Sequence, residues 1–308
     1  MSTVPELLRQ RAELESRLTF IPYEGTVEIK SIEEGKYLYV RKRLAGKLTS
    51  QYVGKYSEEL HNLLLRQVKM VRDLRKEIRL VDRQLAQAGY QKKPISQRVA
   101  LNVDFARINV KSLIYDQAVL EGVATTFAQT ETILENGKVT GISPSDIQKI
   151  INLKHAWEFI LDKDVIVAHS DYYILCHIAR LVNEGFYESG GEPRSVPVTI
   201  GGTNYIPPIP MEPDVKDQII ALTTSANAPI DIAIDLCLYV MKTQIFNDGN
   251  KRTAVVFSNH FLIGRGKGLL VIPESQVETF KTHLIAYYKG KDDKIIKKFL
   301  RDMCWRQF

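Results

Sequence analysis

The residues best suited to chemistry lie in one short stretch, Gln244-Ile-Phe-Asn-Asp-Gly-Asn-Lys-Arg252, between two apolar patterns of helical spacing. Residues 247–252 combine a carboxylate, two amides, a glycine and two cations. They stand where a helix begins, and unpaired N–H groups and the helix dipole favour an anion there. Asp248 could also hold Mg²⁺, which binds few carboxylates and several phosphate oxygens. The pattern predicts a polyphosphate site, and the alternative is a polar turn capped by Asp248 or Asn250.

The string from Phe246 to Ala254 resembles the signature of the Fic/Doc family, H-x-F-x-[D/E]-[A/G]-N-[G/K]-R. Upstream, Asn152 begins a segment similar to the N-x-x-x-A element of Fic helices. Residues 172–191 resemble the helix that leads into the family's G-x-x-R segment, here ending at Arg194. The resemblance covers residues 110–305 and implies a helical Fic fold.

The resemblance also implies the role of each residue in the loop. Asp248 matches the acidic residue that binds the metal bridging the nucleotide phosphates, and Arg252 matches the arginine that contacts them. The family transfers AMP, or a phosphoryl group in Doc-type members, from a nucleotide to a Ser, Thr or Tyr hydroxyl of a protein. The expected cofactors are therefore Mg²⁺ with ATP or another nucleotide, and the expected partner is a protein. The nucleotide-binding residues implied are Phe246, Asn247, Gly249, Asn250, Lys251 and Arg252, of which Lys251 is the Doc-like choice.

Gln244 departs from the signature because it occupies the position of the family histidine, the general base. A neutral amide can donate and accept hydrogen bonds but cannot take up a proton at neutral pH. Loss of a positioned base slows a reaction by about 10²- to 10⁴-fold. We therefore expect weak, altered or absent transfer. His260, on the following helix, is interpreted as a satisfied helix residue rather than a replacement base.

A second departure concerns regulation. Val255 stands where adenylylating members have a second arginine. Glu121 resembles the glutamate of the family's inhibitory helix, although Gln117 stands where Ser or Thr is usual. Glu121 could pair with Lys251 or Arg252, so it is either an inhibitory group or a structural helix cap.

The segment 194–210 contains β-branched residues around a Gly-Gly pair, followed by clustered prolines. Proline excludes a helix, and the pattern predicts an exposed β-hairpin. The resemblance implies that this hairpin is a flap over which a target peptide lies. Its expected docking residues are Val198, Thr199, Ile200, Gly201 and Gly202.

Apolar residues recur at helical spacing in most of the remaining chain beyond residue 96. The predicted helices are 145–161, 170–186, 214–226, 230–244, 252–264, 275–288 and 291–304.

The N-terminal third carries the whole basic excess, because residues 1–95 hold 19 Lys and Arg against 12 Asp and Glu, whereas 96–308 hold 23 against 24. Residues 4–18 form a short amphipathic pattern, and the segment from Ser57 carries two seven-residue apolar series. The second pattern predicts a helical arm or a coiled-coil seam, which would allow a homo-oligomer.

A β-hairpin is predicted between these helices, with strands around residues 36–43 and 48–54. It interleaves Tyr37, Tyr39 and Tyr52 with cations at 41–43 and 47. These residues could stack bases and hold phosphates, or the tyrosines could pack on the following helix while the cations keep an edge strand soluble. The chain could accordingly be a non-catalytic scaffold whose arm binds nucleic acid or a protein.

The composition, 44% hydrophobic and 25% charged, excludes a disordered chain and is typical of a globular protein. No apolar run is long enough to span a membrane, no signal-peptide core is present, and three distant cysteines form no disulfide or zinc pattern, so a cytoplasmic protein is expected. We predict a mainly α fold in two domains. Residues 1–95 form the hairpin and helical arm, and residues 96–308 form a Fic-fold helical domain with its β-hairpin flap.

Overall fold

The computed structural model describes residues 4–19, 21–32, 35–44, 47–90, 94–135 and 137–307. The chain divides into two compact units, Met1–Gln91 and Lys92–Phe308.

The first unit contains a three-stranded antiparallel sheet in the order β1-β2-β3, formed by β1 (Thr26–Ile32), β2 (Gly35–Leu44) and β3 (Lys47–Lys55). The predicted hairpin is confirmed as β2 and β3, while the predicted turn residues Ala45 and Gly46 lie outside the described residues. Strand β1 was not predicted, because its Glu, Lys and Ser residues lower the apparent strand propensity. It is nevertheless paired with β2 along its whole length.

The apolar residues of the heptad pattern pack against other elements of the first unit. Helix α2 (Glu58–Gln87) packs its C-terminal half against α1 (Val4–Thr19). The shared core contains Leu7, Leu8, Leu14, Leu74, Ile78, Val81 and Leu85. Nearer its start, Leu60 and Leu64 of α2 pack against Leu38 and Val40 of the sheet. The apolar stripe is therefore buried by the chain itself, and a homo-oligomer stays a prediction.

The second unit is mainly helical, as predicted. Its helices are α3 (Gln97–Leu120), α4 (Phe127–Leu134), α5 (Pro144–Ile160), α6 (Tyr172–Val182), α7 (Glu212–Thr223), α8 (Pro229–Thr243), α9 (Asn250–Ile263), α10 (Val277–Tyr288) and α11 (Lys294–Phe299). Two short strands, β4 (Leu269–Leu270) and β5 (Trp305–Arg306), pair near the end of the chain. Helix α9 is buried almost all round and lies at the centre of the core. No helix in the described ranges is both long and apolar enough to span a bilayer.

Helix α3 was missed from the sequence, although it has 24 residues. Its buried side includes Asn102, Asp116 and Gln117, which blur the apolar spacing. These polar groups are buried because each has a partner elsewhere in the fold, such as Glu274 N–H for Asp116 at 3.0 Å.

The predicted β-hairpin flap is wrong in one respect. The chain reverses at Gly201 and Gly202, but no paired strands are assigned among the described residues 194–210. Four prolines in this range provide no N–H for a ladder. The carbonyls of Val196, Pro207 and Pro208 instead accept hydrogen bonds from the Arg194 guanidinium. The segment is therefore an extended flap, tied together by one arginine.

Candidate functional site

The loop between α8 and α9 is closed by its own side chains. Gln244 ends α8 in the left-handed conformation, with φ of 50°. The Asn250 amide accepts a hydrogen bond from Phe246 N–H at 2.9 Å and donates to Phe246 C=O at 2.7 Å and to Gln244 Oε1 at 3.2 Å. Phe246 is completely buried beneath the loop. The Asn250 side chain thus shapes the loop, which sequence reasoning had treated mainly as an anion ligand.

Gly249 fits a space that no other residue could occupy without strain. Its φ is +71°, and an added Cβ would lie 2.7 Å from Val182 Cγ1 and 2.8 Å from Asn183 Oδ1. Asn183 Nδ2 donates to the carbonyl of Asp248 at 3.0 Å, which fixes the residue before the glycine. Because Gly249 is also the N-cap residue of α9, no side chain caps the first turn of that helix. The N–H groups of this turn are consequently open to an anion.

The charged residues predicted for the site form one cluster. Arg252 Nη2 donates to Asp248 Oδ2 at 3.1 Å, and Nη1 donates to Val182 C=O at 3.2 Å. Glu121 Oε2 lies 3.8 Å from both Lys251 Nζ and Arg252 Nε. The sequence left pairing of Glu121 with Lys251 or Arg252 open, and the structure places its carboxylate at ion-pair distance from both cations. Arg252 is only 1% exposed and faces protein groups, whereas the Asp248 side chain is 48% exposed.

Glu121 is at once the C-cap residue of α3 and a wall of the site. Glu121 Oε1 and Arg252 Nε are buried without a hydrogen-bond partner among the described residues. Buried polar atoms are normally paired, so the long Glu121–Arg252 ion pair leaves part of the hydrogen-bonding capacity of both groups unused.

Residues outside the loop support it. Gln117 Nε2 donates to Arg252 C=O at 2.7 Å, and Trp157 Nε1 donates to Gln117 Oε1 at 3.1 Å. Asn152 Nδ2 donates to the carbonyl of Val182 at 3.1 Å, the same carbonyl that Arg252 contacts. Gln117 and Trp157 were missed as site residues, because their role depends on contacts between distant segments.

The loop and the flap enclose a cleft with a volume of about 340 Å³. Most of the predicted site residues line it, but Phe246, Asn247, Arg252, Val198 and Gly202 do not. Four unpredicted residues from α10 also line the cleft, namely Lys281, Leu284, Ile285 and Tyr288. The predicted residues in the lining are Glu121, Thr199, Ile200, Gly201, Gln244, Asp248, Gly249, Asn250 and Lys251.

None of the described residues lining the cleft is a histidine or a cysteine. Gln244 Nε2 donates to Met241 C=O at 2.6 Å, and Gln244 Oε1 accepts from Asn250 Nδ2, so both polar atoms of its amide have partners. Tyr288 donates its hydroxyl to the same carbonyl at 3.1 Å, and burial raises the pKa of this phenol well above its ordinary value. Neither group can accept a proton near neutral pH.

His260 is confirmed as a satisfied helix residue. Its Nε2 donates to Val165 C=O at 2.8 Å, so Nδ1 accepts from the Ser170 hydroxyl, also at 2.8 Å. Burial lowers the pKa of His260 to about 4. A ring with both nitrogens bound inside the core cannot serve as the base.

Arg194 joins the flap to the loop. Its backbone N–H donates to Ile245 C=O at 2.8 Å, and its Nε donates to Gln244 C=O at 2.6 Å. The remaining guanidinium donors bind the three flap carbonyls, and the residue is 2% exposed. Burial lowers the pKa of Arg194 below its ordinary value. One side chain thus fixes both ends of the flap relative to Gln244.

Among the described residues that line the cleft, Asp248 alone offers a metal ion an exposed carboxylate. Among the described residues, no group of three His, Cys, Asp or Glu side chains could hold a metal. Mg²⁺ bound to a nucleotide needs only one or two carboxylates, because phosphate oxygens and water complete its shell. Asp248 beside the open first turn of α9 fits that requirement.

Comparison with known proteins gives matches in both parts of the chain. Residues 170–262 match the Fic/DOC family, and residues 4–62 match a domain of unknown function (DUF6788). The curated "Protein adenylyltransferase Fic" of Drosophila willistoni is 26% identical over 205 residues, which is 61% of this chain and 39% of that protein. The chain therefore spans about two fifths of the length of this relative.

Two solved structures share the fold. A Fic-1 fragment from C. elegans aligns with a TM-score of 0.52 and 19% identity over 77% of this chain and 72% of that chain. A Fic family protein from Desulfovibrio desulfuricans G20 aligns with a TM-score of 0.52 and 16% identity over 68% and 73%. The family match, the curated relative and the shared fold agree that residues 170–262 form a Fic/DOC domain.

Proposed function

We propose that the cleft binds a nucleoside triphosphate with Mg²⁺, its phosphates lying on the first turn of α9. The observation that carries the proposal is the uncapped start of this helix, behind a glycine that admits no side chain and beside the half-exposed Asp248. ATP is the favoured nucleotide, because the curated relative is named an adenylyltransferase.

The bound metal would neutralise phosphate charge and would be held by Asp248. This carboxylate is oriented by its hydrogen bond to Arg252, whose own position is fixed by the Val182 carbonyl. Lys251 presents an ammonium group in the cleft wall, where it can pair with a phosphate oxygen. Arg252 contributes by placing Asp248, and contact between its guanidinium and a phosphate would require a rotation out of its buried position.

We further propose that a Ser, Thr or Tyr hydroxyl of a protein approaches the nucleotide across the flap, beside Gln244. The amide of Gln244 cannot take the proton that leaves this hydroxyl. The remaining groups still bind and position the nucleotide. Transfer of AMP, or of a phosphoryl group as in Doc-type members, is thus expected to be slower by about 10²- to 10⁴-fold than with a positioned base.

Glu121 is proposed to compete with the phosphates. Its carboxylate lies 3.8 Å from Lys251 Nζ and lines the same cleft. A phosphate that pairs with Lys251 would displace this long ion pair. Glu121→Gln should consequently tighten nucleotide binding.

Titration calorimetry with Mg²⁺–ATP tests the nucleotide site. Asp248→Asn should weaken binding by about tenfold or more, because it removes the metal ligand. Asp217→Asn is the matched control, since Asp217 is an exposed carboxylate on α7. Equal affinity of the wild type and Asp248→Asn would refute the assignment.

A second candidate function concerns the first unit. The pairing register places Tyr37, Tyr39 and Tyr52 on one face of the sheet, and Lys30 Nζ lies 4.5 Å from the Tyr39 ring centroid. The tyrosines contact one another, with Tyr39 and Tyr52 centroids 5.4 Å apart, and Tyr52 is 55% exposed. This face supports binding of single-stranded nucleic acid through base stacking.

A further inference from the structure

A second cavity is lined by residues of the flap and shares Tyr288 with the cleft. It has a volume of about 580 Å³. It is formed by the residues after the flap turn and by the C-terminal ends of α8 and α10. Its polar lining residues are Thr203, Asn204, Tyr205, Lys242, Tyr288 and Lys289.

The chemistry of this lining is cationic. Lys242 Nζ lies 4.3 Å from the centroid of the Tyr287 ring, and neither Lys242 nor Lys289 forms an ion pair with the described residues. The described residues that line the cavity include no Asp or Glu. Both lysines stand at helix C-termini, where the helix dipole favours a cation but provides no localised counter-ion. In the described part of the chain, the ammonium groups of Lys242 and Lys289 therefore have no acidic partner in the cavity.

The cavity shares a residue with the cleft in which transfer is proposed. Tyr288 lines both the cleft and the cavity, Gly201 lines the cleft, and Gly202 lines the cavity. Lys242 precedes Gln244 by two residues at the end of α8. Side chains on one face of an extended peptide are about 7 Å apart. A peptide lying along the flap with a hydroxyl beside Gln244 would thus place a neighbouring side chain over Lys242.

We propose that this cavity binds a carboxylate side chain, Asp or Glu, of the target protein close to the hydroxyl that faces Gln244. That this hydroxyl is the acceptor of the transferred group rests on the proposed function, but binding of a carboxylate to the cavity can be measured without it. The cavity would select targets by charge, because a neutral or basic neighbour leaves the two ammonium groups unpaired.

The test uses the full chain and fluorescein-labelled heptapeptides with a central threonine. The threonine is flanked by glutamates in one peptide and by glutamines in the other. Fluorescence anisotropy at low ionic strength should show the glutamate peptide binding about tenfold more tightly, as expected for charge-assisted contacts. The double variant Lys242→Glu with Lys289→Glu should remove this difference. The matched control is Lys138→Glu with Lys163→Glu, which changes net charge equally at two exposed lysines of the same unit.

Each outcome decides the proposal. Equal affinity of the two peptides for the wild type, or equal loss in the control variant, would overturn it. Calorimetry with Mg²⁺–ATP separates this result from the proposed function, because the two lysines do not line the nucleotide cleft. Selective loss of glutamate-peptide binding without any nucleotide binding would support the carboxylate site and refute the proposed function.

Discussion

Replacement of Gly249 by alanine tests whether the α8–α9 loop has the geometry described. The native φ of +71° lies in the left-handed region, which costs an alanine about 1–2 kcal/mol. The new Cβ would also lie 2.7 Å from Val182 Cγ1 and 2.8 Å from Asn183 Oδ1. Forcing a methyl group into such a space costs about 1–3 kcal/mol more. The variant should therefore lose about 2–5 kcal/mol of unfolding free energy.

Two other glycines separate the contributions. Gly122 has φ of +80° with nothing within 4 Å of an added Cβ, so Gly122→Ala should cost about 1–2 kcal/mol from the backbone alone. Gly201 has an ordinary φ and open space, so Gly201→Ala should change stability by less than about 0.5 kcal/mol.

Urea unfolding followed by tryptophan fluorescence is the assay. Both tryptophans of the chain, Trp157 and Trp305, lie in the second unit and report its unfolding. If Gly249→Ala costs no more than Gly122→Ala, the close packing against Val182 and Asn183 is refuted.

Three further predictions concern other parts of the chain. Burial lowers the pKa of His260 to about 4 in the folded chain, whereas an unfolded histidine binds a proton below about pH 6.5. As the pH falls from about 6.5 to about 4, the free energy of unfolding should therefore fall by about 1.4 kcal/mol per pH unit. A His260→Gln variant with the same pH slope in urea unfolding would contradict this. Amides at 198–206 should exchange rapidly with deuterium, since among these described residues only Thr203 and Tyr205 donate their backbone N–H to a hydrogen bond. Strong protection throughout would count against an open flap. A fluorescent oligothymidine should bind in a salt-dependent manner that Tyr52→Ala weakens and the control Tyr187→Ala does not, and indifference to both changes would remove the second candidate function.

The sequence was informative where a site is local. Asp248, Gly249 and Lys251 stand within four residues and line the cleft as the motif indicated. The family resemblance drew attention to Glu121, but it implied a second arginine that Val255 replaces here, and the ion pairs with Lys251 and Arg252 come from the structure. An anion site at a helix N-terminus is formed by consecutive residues, so it can be predicted without knowledge of the tertiary fold.

Contacts between distant segments could not be predicted in this way. Gln117 reaches the carbonyl of Arg252 across 135 positions of sequence, and no local pattern marks such a pair. The flap shows a related limit, because its β-branched residues favour strands but the Arg194 guanidinium takes the carbonyls that a ladder would use. The buried position of Arg252 likewise follows from tertiary packing around Val182.

Our central proposal is that the site binds a nucleotide and that Gln244 leaves it without a general base. Its most direct test is incubation of the wild type, Gln244→His and Gln244→His with Asp248→Asn with α-labelled and γ-labelled ATP in parallel. Gln244→His should incorporate label into itself or a target with a gain of about 10²- to 10⁴-fold, and the added Asp248→Asn change should abolish that gain. Label from the α position would indicate adenylylation, and label from γ alone would indicate phosphorylation. Absence of incorporation by Gln244→His from either label would contradict the claim.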